Sequence, residues 1–99
     1  MGKKAIDIVS LDVAKLIQML NEALAEEWLA YYQYWVGARV LEGPMRGDIE
    51  SELLLHATEE LAHAELVADR IIQLGGTPLL NPNQWTKFAK CDYAELTDP

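Results

Sequence analysis

Two long runs of helical periodicity, parted by a single Gly-Pro break, limit what this chain can fold into. From Leu11 onward, Val13, Leu16, Ile17, Leu20, Leu24, Tyr31, Tyr34, Ala38 and Leu41 recur at intervals of three and four, which is the spacing of one helix face. No Gly or Pro interrupts the run until Gly37, and Gly43-Pro44 ends it, because the residue before a proline is pushed out of the helical region. The pattern predicts a first helix of about 30 residues, roughly 45 Å long at 1.5 Å per residue. Ser10 is the expected N-cap and Asp12 sits in the first turn, where it meets the helix dipole. Residues 1–10 are then expected to be an N-terminal arm. A second helix should start within Pro44–Asp48 and run to about Leu74, where Gly75-Gly76 stops it. Its stripe is Ile49, Leu53, His56, Glu60, His63, Val67 and Leu74, flanked by Leu61, Ala64, Ala68, Ile71 and Ile72.

Two such helices joined by a short connection pack antiparallel. One stripe on each is satisfied by that packing, and the wider apolar surface stays in water, which marks an interface. The expected fold is all-α: a long two-helix hairpin, half of a four-helix bundle, completed by homodimerisation about a twofold axis. After Thr77-Pro78 the pattern changes. Residues 79–99 carry Pro82 and Pro99, with Trp85, Phe88 and Tyr93 spaced as anchors, and read as a crossover segment holding a short helical turn near Asn83–Lys90. The whole chain, 1–99, is one domain. It closes on Asp98-Pro99 without a terminal helix, which points to a fragment of a longer protein or a half-length version of one.

Charge narrows the partners. Lys plus Arg is 8 against 16 Asp plus Glu, a net charge of −8, so phosphate-rich nucleic acids and anionic membranes are poor matches, whereas cations are attracted. Lys3-Lys4 is the one basic spot. Cys91 is the single cysteine, so no internal disulfide forms and a reducing compartment is expected. With no apolar run near the roughly 18 to 20 residues of a membrane span and no signal-peptide pattern, the expected location is cytoplasmic.

The chemistry lies in three residues inside the apolar stripes. Glu27 falls between Leu20 and Leu24 on one side and Tyr31 and Tyr34 on the other. Glu60-Leu61-Ala62-His63 is a Glu-x-x-His spacing that projects a carboxylate and an imidazole to one side of a helix. A carboxylate on a buried face is costly unless paired or bound to metal. A di-iron centre in a bundle takes a Glu from each of two helices and a Glu-x-x-His from each of the other two. One copy of this hairpin holds half that set and two copies hold all of it, so the incomplete core and the incomplete ligand set have one remedy. The competing reading places Glu27 and Glu60 at the stripe's edge, paired with Arg39 or Arg70. His56, one turn before Glu60, has a ligand role open to it but is read as a satisfied or surface histidine, and Glu59 as a solvated or secondary metal-entry acid. Tyr34, two turns after Glu27, is the candidate for a hydrogen bond to a ligand carboxylate. Tyr31, Tyr32, Trp28 and Trp35 read as packing or interface aromatics.

At these residues the chain resembles the ferritin-like superfamily. Leu20-Asn21-Glu22 through Glu27-Trp28-Leu29-Ala30-Tyr31-Tyr32-Gln33-Tyr34 is similar to the first helix of bacterioferritins, and Glu60-Leu61-Ala62-His63-Ala64-Glu65 with Arg70 through Pro78 is similar to the second. The nearest likeness is to ferritins that resemble starvation-induced DNA-protection proteins but carry a bacterioferritin-type di-iron site. The resemblance implies ferroxidase-type oxidation of Fe(II) by peroxide or dioxygen, with iron storage in a hollow shell. It implies Glu27, Glu60 and His63 as catalytic metal ligands, Glu60 as the bridging acid, Tyr34 beside the site, and a thiol, Cys91, near it. Two iron ions per dimer are expected. Bacterioferritins that bind haem carry Met after the Glu of Glu-x-x-His, and here Leu61 stands there, so no haem is expected. Members of the family have four bundle helices in one chain, and the third and fourth are absent from this sequence. The rival readings are a metal-free helical dimerisation or binding module, and another di-metal oxidoreductase of the peroxidase or manganese catalase type.

Overall fold

A computed structural model describes residues 3–44 and 46–89, with side chains from Asp12 onward. All its regular structure is helical among these residues: α1, Lys3–Val40; α2, Arg46–Gln73; a 3-10 turn, Pro82–Gln84; and α3, Trp85–Phe88. Cys91 and Tyr93, and with them residues 90–99 of the expected crossover, lie outside the described residues.

The second helix and the turn after it fall where the periodicity puts them. The first helix does not: it begins at Lys3, so residues 3–10 are helical rather than a loose arm, and Ser10 does not cap a helix start. Lys3 to Ile8 holds neither Gly nor Pro, and once a helix is nucleated each further residue adds a hydrogen bond. A capping residue allows a start without forcing one.

The hairpin is antiparallel. Residues that meet across it run in opposite senses, Asn21 with Thr77, Glu27 with His63 and Tyr34 with His56. Its core is narrow. Leu24, Ala64 and Ile71 are buried, with Ile17, Leu20, Trp28, Val67 and Ala68 packed against them. Ala25, Ala38 and Ala57 are also buried, and such small residues let two helix backbones lie close. Two glycines shape the ends. Gly43 has φ +116° in the connection. Gly75, at φ +84°, terminates α2 in a Schellman motif: Gly76 N–H donates to Ile71 O and Gly75 N–H to Ile72 O.

The chain beyond α2 is tied back to α1 by one side chain. Asn21 is buried, donates from Nδ2 to Thr77 O at 3.1 Å and accepts from Leu79 N–H at 3.0 Å. That amide satisfies two backbone groups that would otherwise be orphaned. Further along, Trp85 of α3 stacks on Trp28 with ring centroids 5.7 Å apart. Trp85 thus turns the start of this segment back onto α1.

Candidate metal centre

Glu27 comes from the middle of α1, and Glu60 and His63 come from the middle of α2. The antiparallel register sets the three at one level. One ligand-type atom from each lies within 4.8 Å of the other two. His63 Nδ1 is 3.6 Å from Glu27 Oε2 and 3.8 Å from Glu60 Oε2. Both carboxylates are largely covered, while the imidazole is more than half exposed.

The electrostatics of the cluster are unbalanced. Glu27 Oε2 is a buried acceptor with no hydrogen-bond partner, a state that native proteins avoid unless something else satisfies the atom. Burial pushes the Glu27 carboxyl up from 4.5 to about 7, and the neighbouring Glu60 pushes in the same direction. His63 opposes the shift and does not overcome it. A divalent cation would reverse this account, since both acids would then be favoured in ionised form and the orphaned oxygen would gain a partner. Carboxylate oxygen and imidazole nitrogen suit Fe, Zn and Mn alike.

The competing pairing with arginine does not occur. Arg39 lies over the Trp35 ring, 4.5 Å from its centroid, and Arg70 donates to Gln73. Tyr34 lies against His56, with ring centroids 5.2 Å apart and 29° between planes. His56 in turn faces Glu59, with Nδ1 and Oε2 separated by 3.7 Å. The structure brings Glu27, Glu60 and His63 together, and it turns Tyr34 onto His56 rather than onto a ligand carboxylate as the spacing led one to expect. The spacing arguments missed the Tyr34–His56 stack and the Asn21 clamp, which join positions far apart in the chain and leave no periodic mark.

A sequence profile described as Ferritin-like domain matches residues 17–98. The chain belongs to the ferritin-like family. Bacterioferritin of Desulfovibrio desulfuricans is 40% identical over 65 residues, covering 66% of this chain and 36% of the relative. The DNA protection during starvation protein of Pyrococcus furiosus is 28% identical over 98 residues, covering 98% of this chain and 52% of the relative. Among solved structures, a dodecameric thioferritin, the bacterioferritin-related protein of Bacteroides fragilis, is similar at a TM-score of 0.82 and 53% identity, covering 95% of this chain and 57% of that one. This ferritin-like chain therefore spans between about a third and three-fifths of the length of these relatives. No helix among its described residues is long and apolar enough to cross a membrane.

Proposed function

We propose that this ferritin-like chain binds and oxidises Fe(II) at a di-iron centre whose ligands are Glu27, Glu60 and His63 from each of two copies, and that it serves iron storage and detoxification. The observation that carries the reading is the buried, unpartnered Glu27 Oε2 beside Glu60 and His63.

The second copy is supported by the surface of the first. Leu16, Leu20, Ala23, Glu27, Ala30 and Tyr34 follow one another at steps of four and three, the period of a seam between packed helices. Leu16 at the end of this line and Ile49 on α2 are both exposed in the single chain. Leu20, Glu27 and Tyr34 of this line already meet the core or α2 within the chain, and a matching pair of helices would cover the positions left exposed, Leu16 and Ile49 among them, and supply the missing half of the ligands. The same face could be met by further helices of a longer chain, and the oligomeric state separates the two sources.

In this reading Fe(II) is substrate. Glu60 would be the acid shared between the ions, Glu27 and His63 of each copy would complete the ligand set, and Tyr34 lies one turn along on His56. One peroxide accepts one electron from each of two Fe(II) ions and two protons from solvent, giving two Fe(III) and two waters. The protein contributes carboxylates that are ionised when the metal is bound, open coordination positions and partial exclusion of water. The nearby relatives include a dodecamer, and a dimer is the smallest unit from which such a shell of this chain would be built.

The test is an anaerobic Fe(II) titration with a mass measurement by light scattering. About one iron per chain in an even-numbered assembly is expected, with binding lost in the Glu60→Ala, His63→Ala double variant. Unchanged iron binding in that variant refutes the centre. Reduction of peroxide to water with Fe(III) formed in step separates this activity from dismutation of peroxide to oxygen by a manganese-type site.

A further inference from the structure

The connection between α1 and α2 folds around a cleft of about 530 Å³, lined by Arg39, Val40, Leu41, Glu42, Gly43 and Arg46. Arg39 is twelve residues beyond Glu27 on α1, about 18 Å along the axis at 1.5 Å per residue, so the cleft is separate from the candidate centre. Two of the chain's three arginines line it, in a protein whose net charge is −8. Each of the two is held by a neighbour. Arg39 lies over Trp35, 4.5 Å from its centroid, and Trp35 stacks in turn on Tyr32 with ring centroids 6.3 Å apart. That contact engages the face of the guanidinium and leaves its edge, where the N–H donors lie, for another partner. Arg46 Nη2 is 3.5 Å from Glu50 Oε2, one turn on, and the arginine side chain is half exposed. The mouth is open at Gly43, where a Cβ would meet no atom within 4 Å.

We propose that this cleft binds a phosphate-type oxyanion between the guanidiniums of Arg39 and Arg46. A guanidinium presents a planar fork of donors that matches the paired oxygens of a phosphate. Stacking or ion pairing that fixes the fork beforehand reduces what binding must order. Arg39 comes from the last turn of α1 and Arg46 opens α2, so the anion ties the two helices together across their connection. The acids nearby set the kind of anion. Glu42 lines the cleft and Glu50 holds Arg46. A singly charged anion gains little over these carboxylates, whereas a dianion with several oxygens displaces them. The start of α2 is not the source of binding, since Arg46 N–H already donates to Gly43 O and Asp48 stands in the first turn. A cleft of this volume admits free phosphate or the phosphate group of a small phosphomonoester.

The experiment uses the full 99-residue chain free of metal, with inorganic phosphate as probe and chloride keeping the ionic strength constant. The arginine Nε–H resonances are followed by NMR, and Tm is measured alongside. Expected is a saturating shift at Arg39 and Arg46, with a rise in Tm that chloride does not produce. Arg39→Gln and Arg46→Gln should each weaken binding roughly tenfold or more, the effect of losing one charge-assisted hydrogen bond. Glu42→Gln removes a competing carboxylate from the lining and should tighten binding. Arg70→Gln is the control, because that guanidinium donates to Gln73 outside the cleft, and it should leave binding unchanged. A response that never saturates, that chloride reproduces, or that falls as far in Arg70→Gln as in the cleft variants overturns the proposal and leaves only screening of surface charge. Glycerol 3-phosphate identifies the source of the oxyanion. Equal or tighter binding of it supports a phosphomonoester, and binding of inorganic phosphate alone supports the free ion.

Discussion

The two faces of this hairpin use the same helices for opposite purposes. Around Leu24, Ala64 and Ile71, α1 and α2 meet through buried apolar side chains, and the buried amide of Asn21 beside them is hydrogen-bonded. A few residues away, Glu27, Glu60 and His63 meet through charged atoms: two acids lie beside one half-exposed imidazole, and Glu27 Oε2 is buried with His63 Nδ1, 3.6 Å away, outside hydrogen-bond reach. The first face holds one chain together. The second gathers three ligand-type atoms within 4.8 Å of one another, which is the arrangement the proposed cation site uses.

The contrast predicts that the two faces can be damaged separately. The largest effect should come from Leu24→Ala, which empties part of the dry face. Leu24 is 1% exposed, and such a truncation costs about 2–5 kcal/mol, read by thermal or denaturant unfolding. Metal affinity of the fraction that stays folded should be unchanged. Asn21→Ala comes next. It strips Thr77 O and Leu79 N–H, both partly open to water, of their partner, and losing such hydrogen bonds costs about 1 kcal/mol. Its local readout is faster amide exchange at Leu79 with the Glu27 cluster intact. Gly75→Ala should cost about 1 kcal/mol, because φ is +84° there, and should fray the last turn of α2 in exchange measurements.

The shallowest effect belongs to the polar face, because its acids are partly solvated. The Glu27 pKa is raised from 4.5 to about 7 by burial and by Glu60. Protonated Glu27 is therefore the form the metal-free fold prefers. Its contribution is fully present below about pH 4.5 and is lost as pH rises through about 7. Without metal, stability should decline across that window in the wild type, and Glu27→Gln should remove that part of the decline. With Fe(II) or Co(II) the sign reverses, since the ion needs the carboxylate: affinity should weaken as pH falls below about 7. A metal-free slope identical in wild type and Glu27→Gln would show that Glu27 is no more buried than an ordinary surface acid.

Much of this was legible in the residues. The three-and-four spacing of apolar positions marked both helices, and Gly43-Pro44 and Gly75-Gly76 marked two of their ends, because breakers act locally. The extra residues at the start of α1 were not legible, since Lys3 to Ile8 neither demands a helix nor forbids one. Glu27, Glu60 and His63 stood out as ionisable groups in apolar stripes. Asn21 did not, because a lone Asn in a helix has no pattern that names Thr77 and Leu79 as its partners.

By itself, then, the order of residues determined what is local: helix content, the Schellman stop at Gly75, the Glu-x-x-His projection and the excess of negative charge. Only the tertiary structure decided the register of α1 against α2. That register is set by side-chain shape, with Leu24 seated among Ala64 and Ile71 and the Asn21 amide spanning to the chain beyond α2. It sets Glu27 level with Glu60 and His63, turns Tyr34 onto His56, and leaves one carboxylate oxygen buried without a partner. Periodicity names the face a side chain takes on its own helix. Its height against a neighbouring helix comes from packing, and the chemistry of this site depends on height.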